Sequence, residues 1–195
     1  QALGRRAAVG RVTTMTIDGP SGGIELRIFR PDSSASLLPG LLWVHGGGFI
    51  RGDKQERANG GIHFARRGYV TMVPNYRLAP AQAWPGGAED VAAAWEWAHH
   101  QARTFGADPN RIVLVGESAG ATHVATAALV RRFRPKSARP PSAVVLVSGP
   151  YDPVLEIACR RQFGVPTPDP RNDAYFGSDA ARLPEKALID LIDVE

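Results

Sequence analysis

The chain has 195 residues, 44% of them hydrophobic, with 23 Lys and Arg set against 19 Asp and Glu for a formal net charge of +4. That suits a single domain over residues 1–195 with a sizeable core, and no linker-like stretch divides it. The lone Cys159 excludes an internal disulfide and a cysteine-based zinc site, and it reads as a small core residue.

The first residues, Gln1 to Arg6, lack the apolar stretch of a signal peptide, and no later run reaches the roughly 18 apolar residues that span a membrane. A soluble, cytoplasmic protein is the expectation. Residues 11–17 and 24–30 alternate apolar and polar side chains around the turn-forming Asp18-Gly19-Pro20-Ser21-Gly22-Gly23, which predicts an opening hairpin. The apolar strand 41–44, a helix over 59–67 and a strand over 69–73 make a strand–helix–strand unit. Val91, Ala94, Trp95 and Ala98 lie at helical spacing within 86–104, and Phe105 to Asn110 ends that helix and leads into a strand at 111–115. A helix follows from Ser118 to about Arg132. Beyond it Arg131, Arg132, Arg134, Lys136 and Arg139 form the densest basic cluster. Cations there complement a helix C-terminus, and no nucleic-acid recognition motif accompanies them. One more buried strand is expected at 143–147, then a helix over 154–163, a proline-rich stretch with Pro166, Pro168 and Pro170, and a final helix over 184–192. The alternation is that of an open α/β sheet.

Two motifs carry chemistry. Gly116-Glu117-Ser118-Ala119-Gly120 follows the apolar run Ile112 to Val115 and places a serine where a buried strand turns into a helix, a nucleophile elbow. A serine hydroxyl needs exposure on a tight turn and a base to remove its proton. His45-Gly46-Gly47-Gly48 follows the strand Leu41 to Val44 and can present backbone N–H groups to an oxyanion. The N–H groups of Gly47, Gly48 and Ala119 are the candidate oxyanion hole, with Ser118 as the candidate nucleophile. Together they point to acyl transfer.

The remaining polar residues fit less well. His123 follows Ser118 on the same helix, at an angle that turns it away from the elbow, so packing in the core or at the surface is expected. Adjacent His99 and His100 point to different faces and suit no shared metal. His63 has no partner that the sequence names. Asp152 reads with Pro153 as a loop and helix start, with a triad acid as the alternative. Phe49, Ile50, Trp84 and the region from Tyr151 to Phe176 are candidates to line a pocket for an apolar ester. Arg51 and Asp53 suit salt bridges on their loop, Asp90 a helix salt bridge, and Glu117 a hydrogen bond supporting the elbow.

With His45-Gly46-Gly47-Gly48-Phe49, Asn75-Tyr76-Arg77-Leu78-Ala79-Pro80, Trp84-Pro85, Asp90, and Asp108 to Ile112 leading into the elbow, the chain resembles the α/β-hydrolase carboxylesterases related to hormone-sensitive lipase and kynurenine formamidase. The resemblance covers about residues 10–155. It implies a three-layer sandwich with a mostly parallel sheet, a serine esterase acting on a small-molecule ester, no cofactor or metal, and no nucleic-acid or membrane partner. It also implies that His45 shapes the oxyanion loop. An arylformamidase-type amide hydrolase and a catalytically inactive hydrolase-fold binding protein are the alternatives. The family's acid and histidine come later than this chain's last strand. The expectation is therefore a sheet lacking its final strands and helices, with an exposed edge at 143–147. A further C-terminal segment of the same protein, in the same or another chain, would then supply a strand, an Asp or Glu, and a His.

Overall fold

The structure is a computed structural model that describes residues 8–192; the reading of Gln1 to Arg6 lies outside the described residues. The chain opens with β1 (Val9–Gly19) and β2 (Gly22–Pro31), paired antiparallel around a turn tighter than expected, since Gly19 already faces Gly22. Next come β3 (Leu38–Val44), α1 (Ala58–Ala65), β4 (Val70–Pro74) and α2 (Gly86–Gln101), which continues as a short 3-10 turn to Phe105. Then follow β5 (Ala107–Glu117), α3 (Ala119–Leu129), β6 (Ala143–Val147), α4 (Pro153–Gln162), α5 (Pro170–Phe176) and the single turn α6 (Leu188–Leu191).

The six strands form one sheet in the order β1-β2-β4-β3-β5-β6. The pairs β3·β4, β3·β5 and β5·β6 are parallel, and those involving β2 are antiparallel. From β3 the chain moves outward to β4, then crosses back over to β5 on the other side. That reversal opens a crevice at the carboxyl ends of β3 and β5, where open α/β sheets bind ligands.

Alternation along the strands sorts the core into layers. Leu26, Ile28, Leu42, Val44, Met72 and Leu114 face α2 and α3, where Val91, Ala94, Trp95 and Ala98 are buried as their helical spacing predicts. Phe29, Trp43 and Val73 face α1 on the opposite side. Ala119 to Ala128 are buried all round α3, so this helix is apolar on every face because it lies inside the molecule.

Strand β5 starts earlier than its apolar run because Leu38 and Pro39 pair with Ala107 and Asp108. The register then shifts, and Gly40 pairs with Ile112. The side chain of Asp108 accepts from Asn110 N at 2.9 Å and closes the bulge locally. At the other end of α3, Arg134 donates to the carbonyls of Ala128 and Leu129, so one member of the basic cluster caps the helix, in line with its reading as helix-end cations.

Helix α5 departs from expectation. The proline-rich stretch turns helical at Pro170, because the side chain of Asp169 caps the first turn by accepting from Arg171 N. The expected helix over 184–192 is broken into a 3-10 turn at 184–186 and α6. Strand β6 pairs with β5 on one side. Its other edge pairs with no strand among the described residues, and Val145 and Val147 are exposed. Among the described residues no helix is long and apolar enough to cross a membrane.

Candidate active site

The site is set by register. Val44 at the end of β3 pairs with Gly116, and Glu117 at the end of β5 pairs with Val147 at the end of β6. The three segments that follow, His45 onward, Ser118 onward and Ser148 onward, therefore leave the sheet side by side. Ser118 donates its backbone N–H to Val147 O at 2.7 Å, and its φ of 52° lies where residues with a Cβ are strained. The glycines on either side make the turn possible. A Cβ on Gly116 would fall 2.5 Å from Ala121 Cα, and one on Gly120 only 2.3 Å from Val44 O. The Ser118 side chain is thus held at the mouth of the crevice, half-buried, and its hydroxyl engages no other group among the described residues. Glu117, expected to support the elbow, makes no side-chain hydrogen bond among the described residues.

The glycine loop lies against the elbow: a Cβ on Gly46 would meet Ser118 Cβ at 3.1 Å. Gly47, Gly48 and Phe49 all have positive φ, at 146°, 60° and 67°, which turns the backbone back on itself and lets Arg51 N reach Gly47 O. The N–H groups of Gly47, Gly48 and Ala119 bind no backbone acceptor among the described residues. Ala119 opens α3, where the first N–H groups of a helix point outward and carry its positive dipole end. Such an arrangement can bind a negative oxygen next to the Ser118 hydroxyl.

Behind the loop is a buried aromatic and histidine cluster. His45 is fully buried, its Nδ1 lies 2.9 Å from Gly46 O, and its ring stacks on Tyr76 at 4.5 Å. Tyr76 donates its hydroxyl to His45 O at 2.9 Å. Phe49 stacks on Tyr175 at 4.1 Å, and the Tyr175 hydroxyl lies 3.1 Å from His123 Nδ1. Burial lowers the pKa of His45, and it pushes that of His123 down to about 3, so both rings are neutral near pH 7. His123 is therefore a core residue.

Ser118, Ala119, Gly48 and Phe49 line a cleft of about 660 Å³ together with Tyr151, Leu155, Cys159, Arg160, Arg171 and Ile189. Cys159 corrects the core assignment: it is exposed and faces this cleft, since α4 turns its Ile157 inward instead. Ile50 and Trp84 do not line it; Trp84 packs edge-on against Phe133 beneath Arg132. Asp152 borders the cleft as the N-cap of α4, accepting from Val154 N and Leu155 N. Asp53 pairs with Lys54 and Asn75, and Asp90 takes the Arg77 guanidinium. None of the chain's 5 histidines lines the cleft.

An ionic cluster ties α4 to α5 along this cleft. The Asp169 carboxylate is nearly buried and binds Arg171 through two nitrogens, at 3.0 and 2.6 Å, and Arg160 at 2.5 Å. Hydrogen bonds from Arg171 hold its pKa down at about 2. The signal was present in the Asp169-Pro170 pair, the same N-cap and N1 pattern that marks the start of α4 at Asp152-Pro153.

Residues 41–179 match a family described by its alpha/beta hydrolase fold. The chain is 37% identical over 121 residues to esterase LipI of Mycobacterium tuberculosis, covering 60% of this chain and 38% of the relative. It is 29% identical over 156 residues to an ethyl acetate hydrolase of Pseudomonas putida, covering 78% of this chain and 47% of that one. Among solved structures, a hyperthermophilic esterase of the archaeon Pyrobaculum calidifontis superposes with a TM-score of 0.78 at 25% identity, over 96% of this chain and 64% of its own. The chain thus spans less than half the length of either curated relative. With an elbow serine, a glycine loop in register beside it and a family match over most of its length, the chain belongs to the alpha/beta hydrolase family.

Proposed function

We propose that this protein is a serine esterase acting on small-molecule carboxylic esters. The Ser118 hydroxyl attacks the ester carbonyl, the N–H groups of Ala119, Gly47 and Gly48 hold the resulting oxyanion, the alcohol leaves, and water releases the acid from the acyl-enzyme. The observation that carries this reading is the in-register exit of β3 and β5, which sets unengaged N–H groups beside a strained serine at the mouth of a cleft. Similarity to relatives named as esterases supports it.

The base and acid are proposed to come from outside these 195 residues, because no histidine of the described residues borders the cleft and the outer edge of β6 is open to another strand. No cofactor, nucleic acid or membrane enters this reaction, and a cytoplasmic location goes with the same reading. The test is fluorophosphonate labelling of the full-length protein, followed by intact mass spectrometry and peptide mapping. One adduct on Ser118, with ester turnover reduced at least ~10⁴-fold by Ser118→Ala, is the expected result. A full-length protein left unlabelled at Ser118 would replace this reading with that of a hydrolase-fold binding protein.

A further inference from the structure

The cleft beside Ser118 contains two arginines, and they are not equivalent. All three guanidinium nitrogens of Arg160 are engaged: Nε by Glu156, Nη1 by Pro166 O and Nη2 by Asp169. Arg171 spends Nε and Nη2 on Asp169, and its Nη1 has no hydrogen-bond partner among the described residues. Its side chain is 49% exposed, whereas that of Asp169 is only 6% exposed, so the open side of this ion pair presents the guanidinium and not the carboxylate.

Its position is informative. A Cβ on Gly48 would lie 2.8 Å from Arg171 Cδ and 3.5 Å from Nη1, so the side chain runs directly over the glycine loop. Helix α5 holds it there from below through Tyr175 and Phe176, both buried against Phe49. Asp169 fixes the fork from behind. The other cleft carboxylates are already occupied: Glu156 by Arg160 and Asn172, and Asp152 Oδ1 by the N–H groups that open α4. An immobilised guanidinium with a spare N–H edge suits a carboxylate oxygen, by direction as well as by charge.

Resting on the esterase reading above, we propose that Arg171 is a specificity residue that receives a carboxylate on the substrate, so that the preferred esters are half-esters of short dicarboxylic acids. In such a substrate the ester carbonyl sits at Ser118 while the free carboxylate reaches Arg171 across Gly48.

The test compares kcat/KM for 4-nitrophenyl hemiglutarate with that for 4-nitrophenyl pentanoate, an ester of matched length without the charge, in the full-length protein. The ratio of the two constants is the readout. It is expected to fall about tenfold in Arg171→Gln and by less in Arg171→Lys, which keeps the charge but loses the fork. In the unsubstituted protein the ratio should also decline as ionic strength rises, a reading that needs no variant to fold. A ratio unchanged in Arg171→Gln, or insensitive to salt, would overturn the proposal. If neither ester is turned over and Ser118 takes no fluorophosphonate, the esterase reading fails separately, and titration calorimetry with glutarate decides the anion site. Glutarate binding that weakens in Arg171→Gln supports the site, and binding that is absent or unaffected removes it.

Discussion

Ser118 holds a backbone conformation that its Cβ disfavours, and the strain is sustained because β5, α3 and β6 each fix one of its neighbours. Ser118→Gly should therefore abolish turnover yet raise stability by about 1 kcal/mol, close to 3 °C in Tm, while Ser118→Ala keeps the strain and should not. Paired thermal melts of the two variants check this. His123 leads to a different prediction. Burial lowers its pKa to about 3 in the folded chain, against an ordinary 6.5, so between those values the unfolded chain binds a proton that the folded chain refuses. Stability that is full above pH 6.5 should fall as the pH drops through that window, by up to about 1.4 kcal/mol per pH unit for this one group. His45, whose pKa is lowered in the same direction, adds to the slope. Urea titrations at several pH values, repeated on His123→Gln, measure the share that belongs to His123. Those two roles are unequally legible in the sequence. The elbow serine follows from local spacing, whereas the burial of His123 depends on Tyr76, Phe49 and Tyr175 arriving from distant parts of the chain.

At the scale of elements, α5 is the informative case. It has 7 residues, too few to be stable from propensity alone, and it persists because Asp169 caps and cross-links it while Tyr175 and Phe176 dock behind the glycine loop. Asp169→Asn should weaken this docking by about 2 kcal/mol, discounted from the cost of breaking a buried pair because Arg171 is half exposed. Hydrogen exchange should then speed up over 170–176 and leave β3 and β5 unaffected. Acid should have the same effect: the folded pKa of Asp169 is depressed to about 2, so its contribution is present above the usual carboxylate value and is lost as the pH falls from about 4 through 2. Because α5 supports Phe49 and sets Arg171 over Gly48, loosening it disturbs the candidate oxyanion loop as well as the cleft wall.

For the whole molecule, the sheet is unevenly finished. One face is covered by α2 and α3 along its length, and the other by α1 over β2, β3 and β4, which leaves Val145 and Val147 of β6 exposed at 44% and 45% beside an unpaired strand edge. An apolar edge of that kind pairs with whatever strand it meets. Residues 1–195 expressed alone should self-associate in a concentration-dependent manner by sedimentation velocity, and Val145→Lys with Val147→Lys should suppress it. Persistent monomer behaviour of the unsubstituted chain at high concentration would count against an edge that accepts a further strand.

The amino-acid order by itself determined the α/β alternation, the strand at 143–147, the elbow at Ser118 and the glycine loop, because each depends on contacts among residues close along the chain: a period of two or of 3.6, a turn, a cap. Tertiary structure decided the rest. Register between β3 and β5 brought Gly47 and Gly48 to Ser118, and α4 turned Cys159 into the cleft in place of the core. Docking of α5 on Phe49 carried Arg171 over the glycine loop. Those outcomes depend on which surfaces meet across long separations in sequence, where burial and ion pairing outweigh local preference, and no spacing within a short window encodes them.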